Sequence, residues 1–226
     1  MNIDNFNGMD SFIRLKKFPS EKGGGLYKFK RTLTKEECLC SSCSQRTNKG
    51  KCEMELCPII EQRLKYGLVP FEEILKSIYS SLNDEEINKR VETYLEELQM
   101  KNTMFNTIGH QHRFERNLKC INKSYKSLVA AIYLLTAEKK VWDQCWSKLQ
   151  YSNIPLENIT LKDSGENGYL FFCAARDIFL GTKYLSIGEI ADKNIVSQKA
   201  FNIITNALAI KRYGVKAIYT TENKKE

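Results

Sequence analysis

The sequence predicts a mainly α protein, a helical bundle with a small N-terminal β-hairpin and a cysteine-rich zinc knot. Apolar residues recur at helical spacing from Pro70 almost to the end of the chain. Five of the eight cysteines lie between Cys38 and Cys57, and two aromatic–basic runs flank a Pro/Gly loop near the N-terminus. The predicted segments are a basic aromatic arm (1–34), a Cys-cluster metal knot (35–67), a helical hairpin with its linker (68–122) and a C-terminal helical bundle (123–226).

The arm is predicted to form the hairpin. Residues 12–18 (FIRLKKF) and 26–31 (LYKFKR) alternate rings and cations on either side of PSEKGGG. Its rings either dock on the body of the protein or stack on bases while the cations follow a phosphate backbone. The predicted nucleic-acid or partner contacts are Lys16, Lys17, Lys28, Lys30 and Arg31.

The cysteine cluster has the spacing C-x-C-x2-C-x8-C-x4-C, from which four thiolates can surround one tetrahedral ion. Zinc is the predicted cofactor, and the predicted ligands are Cys40, Cys43, Cys52 and Cys57. Cys38 is then spare or competes for a place. An iron–sulfur cluster is the alternative cofactor, because Cys57–Pro58 resembles the end of some cluster motifs. A third interpretation is that the cysteine cluster binds no metal.

Helix start and stop signals divide the rest of the chain. Thr34 and Glu37 form a capping box before a short helix, and Pro58 and Gly67 bracket another. The further predicted helices cover 71–82, 85–100, 125–137, 138–150, 165–180, 188–192 and 197–212. Residues 103–119 are less regular in pattern and basic at their end.

Three residues mark limits of these helices: Pro70 opens the first, Asn83 or Asp84 caps the second, and Gly181 stops the helix over 165–180. Trp146 and Tyr169 are predicted to lie with the apolar residues of their helices.

The last two predicted helices approach a helix-turn-helix pattern, in which the second helix reads the major groove. That helix, KAFNIITNALAIKR, is apolar on nearly every side, which is typical of a buried element. The usual turn glycine is also absent. A groove-reading role is therefore the less favoured interpretation.

The only histidines, His110 and His112, form an H-x-H pair. On a strand both imidazoles would point the same way and could hold a metal, whereas on a helix they would diverge. Glu115 is the one carboxylate near them at ligand spacing. A metal-dependent enzyme that uses this pair is one candidate function.

The run from Tyr125 to Gly214, with YLLTA, VWDQCW, GYLFFCAARDIFLGT and IADKNIVSQKAFNIITNALAIKRYG, resembles uncharacterised small proteins of bacteriophages and integrative elements of Gram-positive bacteria. The resemblance covers only the C-terminal helical module and brings no catalytic residues. It implies a mobile-element setting, in which many proteins act against host defence, including inhibitors of CRISPR effectors.

Charge and composition narrow the class of function. The chain has 226 residues, a net charge of +8 and a pI near 9.0. A basic balance of this size favours an anionic partner, with nucleic acid ahead of a membrane. No apolar run reaches the length of a membrane span and no leader is recognised, so we expect a location in the bacterial cytoplasm.

No catalytic constellation or phosphate loop is recognised, so we predict a non-enzymatic zinc-binding interaction protein. The expected target is a nucleic-acid-handling complex, in which the direct partner is nucleic acid, a ribonucleoprotein or a protein component. A phage-encoded inhibitor of host defence, such as an anti-CRISPR protein, would be one example of such an interaction protein. The alternative is a direct DNA- or RNA-binding regulator with the helix-turn-helix-like C-terminal unit.

Overall fold

The computed structural model describes residues 32–43, 57–101 and 104–219. Within these ranges the chain forms helices and turns and no strand, so the mainly α prediction is confirmed. The predicted β-hairpin lies outside the described residues. So do Cys52 and the cations from Lys16 to Arg31.

The described ranges contain nine α-helices and several short 3₁₀ turns. The helices are α1 (Ile60–Lys65), α2 (Phe71–Tyr79), α3 (Glu85–Lys101), α4 (Ile108–Asn117), α5 (Lys126–Ala137), α6 (Lys139–Cys145), α7 (Gly165–Leu180), α8 (Ile187–Ala191) and α9 (Gln198–Tyr213). None of these helices is long and apolar enough to cross a membrane.

Side-chain caps predicted from the sequence are present at several helix starts. Thr34 and Glu37 exchange backbone-to-side-chain hydrogen bonds of 2.9 and 3.4 Å, although the helix that follows is only a 3₁₀ turn. Asp84 Oδ1 accepts from Ile87 N at 3.0 Å at the start of α3. At the end of α7, Gly181 takes a φ of 75°, which an L side chain rarely adopts.

Helices α5 and α9 form the centre of the bundle. Every residue from Leu128 to Ala137 is buried, and so is every residue from Ala200 to Ile210. The two helices pack on each other, α7 covers both of them, α4 and α6 pack on α5, and α2 and α3 pack on α9. The apolar positions on all sides of these two sequences are explained by this central location.

One apolar core contains side chains from Ile60 to Ile218, so residues on both sides of the boundary predicted at 122 pack together. For example, the rings of Phe114 and Tyr133 meet edge to face at 5.2 Å. A second, small cluster consists of Leu33, Cys38 and Ile59. Whether the four predicted segments fold independently stays a prediction, because shared packing does not measure cooperativity.

Two local predictions were wrong. The segment predicted to be irregular forms α4, because the Thr107 hydroxyl accepts from His110 N at 3.0 Å and caps the helix. The helix predicted over 138–150 ends at Cys145, and the backbone continues as a 3₁₀ turn over Trp146–Lys148. This turn moves Trp146 off the apolar face, so that the side chain is 59% exposed.

Candidate nucleic-acid interface

The predicted metal ligands are only partly described. Cys40 is exposed, Cys43 and Cys57 are half-buried, and Cys38 is fully buried in the cluster with Leu33 and Ile59. Within the described ranges no three Cys, His, Asp or Glu side chains lie close enough to hold one ion. Cys40, Cys43 and Cys57 are therefore not assembled as three ligands. Zinc stays a prediction, because the fourth proposed ligand is outside these ranges.

Arg63 lies beside this cysteine region and was not recognised from the sequence. Its guanidinium pairs with Glu73 Oε1 at 2.5 Å and donates to Leu68 O at 2.8 Å. Burial raises the pKa of the Cys57 thiol, while the neighbouring Arg63 cation acts in the opposite direction. Cys57 must lose its proton to bind a metal as a thiolate. Burial makes this loss less favourable, and the Arg63 cation offsets part of that cost.

The histidine pair lies on a helix, so the two side chains diverge. His110 is fully buried, and its Nδ1 accepts from Asn106 N at 3.0 Å while Nε2 donates to Tyr133 O at 2.9 Å. His112 is exposed. Both ring nitrogens of His110 are used within the protein, so this imidazole has no free nitrogen for a metal or a substrate.

Arg90 of α3 fixes the helix-turn-helix-like unit formed by α8, the following turn and α9. The side chain is fully buried, and its Nη atoms donate to Ile190 O at 2.8 Å and Val196 O at 2.5 Å. Its guanidinium carbon lies 4.5 Å from the centroid of the Phe201 ring. Hydrogen bonds from this one guanidinium to backbone carbonyl oxygens therefore hold the turn between α8 and α9.

This arrangement leaves little of α9 for a DNA groove. All residues from Ala200 to Ile210 are buried among the neighbouring helices. Of the polar positions in its first half, Asn202 donates to Glu97 and Gln198 donates to Arg90 O, both at 2.9 Å. The prediction that the apolar helix is a buried element is confirmed.

A different surface combines exposed cations with exposed rings. Two loops, 118–125 between α4 and α5 and 149–153 after the 3₁₀ turn, are joined by a hydrogen bond from Asn122 N to Tyr151 O of 2.8 Å. Tyr151 is 66% exposed and Tyr125 is 51% exposed. The exposed cations Lys119, Lys123 and Lys148 lie in or directly beside these loops. We call these five residues the basic aromatic surface.

The charge of this surface is one-sided. The sequence contains no Asp or Glu between Glu115 and Glu138, and none between Asp143 and Glu157. Among the described ion pairs none involves Lys119, Lys123 or Lys148. The cations of the basic aromatic surface therefore form no ion pair within the described part of the chain.

Sequence reasoning missed this surface, although part of its signal is readable. The absence of acids from each loop is visible in the sequence, and so are the rings. The pairing of two loops separated by about 25 residues depends on how α5 and α6 pack, which no local pattern specifies.

Comparison with protein-family models, with curated proteins and with solved structures gives no match for this chain. The described fold and surface define its class as a helical bundle with a basic aromatic surface on two connected loops.

Proposed function

We propose that this protein is a non-enzymatic interaction protein that binds single-stranded nucleic acid, alone or within a ribonucleoprotein, through the basic aromatic surface. The observation that supports the proposal is the grouping of exposed tyrosines with exposed lysines that form no described ion pair, on two connected loops; Lys148 Nζ donates only to a backbone oxygen, Asn158 O, at 3.3 Å. Lysines attract the phosphate backbone, and tyrosine rings stack on unpaired bases. A folded duplex would leave the rings without partners, so single strands are the better fit.

The N-terminal arm is proposed to add to this binding. Residues 1–31 contain seven basic and three acidic side chains, among them Lys16, Lys17, Lys28, Lys30 and Arg31. Such an arm would strengthen contact with phosphates without adding sequence specificity. The resemblance to proteins of phages and integrative elements makes a ribonucleoprotein of host defence, such as a CRISPR effector, the first complex to test.

The proposal is tested by titrating a labelled single-stranded oligonucleotide with full-length protein at several salt concentrations. We expect the combined change of Lys119, Lys123 and Lys148 to Gln to lower the slope of log K against log salt by roughly 2, since each single-strand phosphate contact contributes about 0.7. At about 150 mM salt the affinity should fall on the order of 50-fold for the same reason. Fluorescence anisotropy measures both quantities.

The matched control changes the exposed lysines Lys76, Lys89 and Lys193 to Gln, which removes the same net charge elsewhere. It should bind almost as the parent protein does. A second variant, Tyr125→Ala with Tyr151→Ala, should lose roughly 5- to 100-fold in affinity while the salt slope stays constant. Equal losses in the two lysine variants would show that only net charge matters, and the proposal would then be wrong.

We separately propose that the protein binds zinc, with Cys40, Cys43, Cys52 and Cys57 as ligands. We expect elemental analysis to find one zinc ion per chain, retained in Cys38→Ala and lost in Cys52→Ser. Cys38 is expected to be dispensable because its thiol is buried in an apolar cluster. Zinc lost equally from both variants would argue against this ligand set, and visible absorption from bound iron would favour the iron–sulfur alternative.

A further inference from the structure

Arg176 on the outer side of α7 is a cation for which the described part of the chain shows no hydrogen-bond or ion-pair partner. Its side chain makes no hydrogen bond and no ion pair within the described ranges, and its Nε is buried without a hydrogen-bond acceptor. A guanidinium normally donates several hydrogen bonds, so its outer nitrogens are available for an external acceptor. An Nε exposed at the surface could donate to water, but the Nε of Arg176 is buried.

Aromatic rings fix the position of this guanidinium. Its central carbon lies 4.6 Å from the centroid of the Tyr184 ring and 5.8 Å from that of the Phe172 ring. Stacking of this kind holds the planar fork in one orientation, so less entropy is lost when it binds an anion.

Tyr184 is in turn held by the buried carboxylate of Asp177. Tyr184 N donates to Asp177 Oδ1 at 2.9 Å, and Leu185 N and the Thr182 hydroxyl donate to the same carboxylate at 2.9 and 2.7 Å. The loop that follows α7 is thereby tied to the helix that carries Arg176. Ring and guanidinium are thus held in place before any ligand arrives.

Two tyrosine hydroxyls lie in the same region. Tyr169 lies seven residues before Arg176, on the same side of α7, and is 58% exposed, whereas its sequence pattern predicted an apolar-face position. Its pKa is raised, first by the hydrogen bond to the Cys173 thiol and to a smaller degree by Tyr184. Tyr184 is 45% exposed. The region therefore combines a guanidinium fork with the Tyr184 hydroxyl and with a Tyr169 hydroxyl that bonds to Cys173.

The carboxylates of this region are already engaged. Asp177 accepts the three donors named above, and Glu189 accepts from Ser186 N and the Ser186 hydroxyl, both at 2.7 Å. Neither forms an ion pair with Arg176 within the described ranges. The outer face of α7 thus offers donors to an incoming group.

We propose that Arg176, Tyr169 and Tyr184 form a binding site for the phosphate group of a phosphate monoester. The guanidinium fork binds two phosphate oxygens and the Tyr184 hydroxyl donates to a third, while the Tyr169 hydroxyl exchanges its bond to Cys173 for a phosphate oxygen. A tetrahedral group with three terminal oxygens uses more of these donors than a planar carboxylate with two. The site is distinct from the basic aromatic surface and does not depend on the proposed function.

The first test measures the melting temperature of the full chain with inorganic phosphate and, at equal ionic strength, with acetate. We expect phosphate to raise the melting temperature more than acetate does. The affinity derived from the shift should fall about tenfold in Arg176→Lys, which keeps the charge and loses the fork. A loss of roughly the same size is expected in Tyr169→Phe combined with Tyr184→Phe, which keeps both rings.

Matched controls are Arg116→Lys and Tyr219→Phe, which change an exposed arginine and an exposed tyrosine outside both proposed sites. Both should respond to phosphate as the parent protein does. The proposal is overturned if phosphate has no effect beyond acetate, or if Arg176→Lys responds as fully as the parent does.

A second measurement separates the two sources of phosphate. Oligonucleotides with a 5′-phosphate and with a 5′-hydroxyl are compared for binding to the parent protein and to Arg176→Lys. A preference for the 5′-phosphate that Arg176→Lys abolishes assigns the site to nucleic-acid ends. No preference, together with binding of inorganic phosphate, assigns it to small phosphates. The lysine variant of the basic aromatic surface should still bind inorganic phosphate, so the two proposals can fail separately.

Discussion

Replacing Arg90 by Met is expected to destabilise the protein by roughly 3–5 kcal/mol, because buried carbonyl oxygens would lose their only described side-chain donor. Ile190 O and Val196 O both accept from the guanidinium, and Gln198 Oε1 accepts from its Nε at 3.3 Å. Methionine has a similar length and supplies no N–H group. Urea denaturation followed by circular dichroism measures the loss of free energy of unfolding.

The neighbouring Lys89→Met is the matched control, since Lys89 is exposed on the same helix and its ion pairs reach only the exposed Glu85 and Glu86. We expect little change in this variant. Arg90→Lys keeps the charge, but its single ammonium group cannot replace the guanidinium bonds to both Ile190 O and Val196 O. This variant should therefore also be destabilised. An Arg90→Met variant as stable as the Lys89→Met control would refute the assignment of Arg90 as the residue that holds the turn.

Acid is expected to destabilise the protein through His110. Burial lowers the pKa of His110 from the ordinary value of 6.5 to about 3. Above pH 6.5 the imidazole is neutral in both folded and unfolded states. Between pH 6.5 and pH 3 the unfolded state binds a proton that the folded state excludes, so stability falls by about 1.4 kcal/mol per pH unit. At pH 4 this amounts to roughly 3 kcal/mol relative to pH 7.

The variant His110→Gln isolates this contribution from that of the carboxyl groups. It should be less stable at pH 7, because the bonds to Asn106 N and Tyr133 O are disturbed, yet its stability should fall less steeply down to pH 4. The exposed His112→Gln should follow the parent curve. Parallel curves for the parent and His110→Gln between pH 7 and pH 4 would contradict a neutral buried imidazole.

Local sequence signals predicted most of the helices. Pro70 opens α2, Asp84 caps α3, and Gly181 ends α7 as its pattern indicated. These features depend on groups within one or two turns of each other, so the sequence displays them directly. The apolar character of α9 also identified it correctly as buried.

The candidate site could not be predicted in the same way. Lys119 and Tyr151 belong to loops that become neighbours only because α5, α6 and the 3₁₀ turn pack as they do. The partner of Arg90 is likewise a turn about 100 residues later in the chain. Such contacts are set by the packing of whole helices, for which periodicity gives no distance.

The sequence by itself determined the helical class, the helix limits marked by caps and glycines, and the buried character of α9, because each follows from the polarity and backbone preferences of near neighbours. Only the tertiary structure decided that His110 is an internal hydrogen-bonding residue, that Arg90 satisfies the turn before α9, and that two acid-free loops meet at the surface. These outcomes depend on burial and on long-range hydrogen bonds, which arise when distant helices exclude water from a shared core.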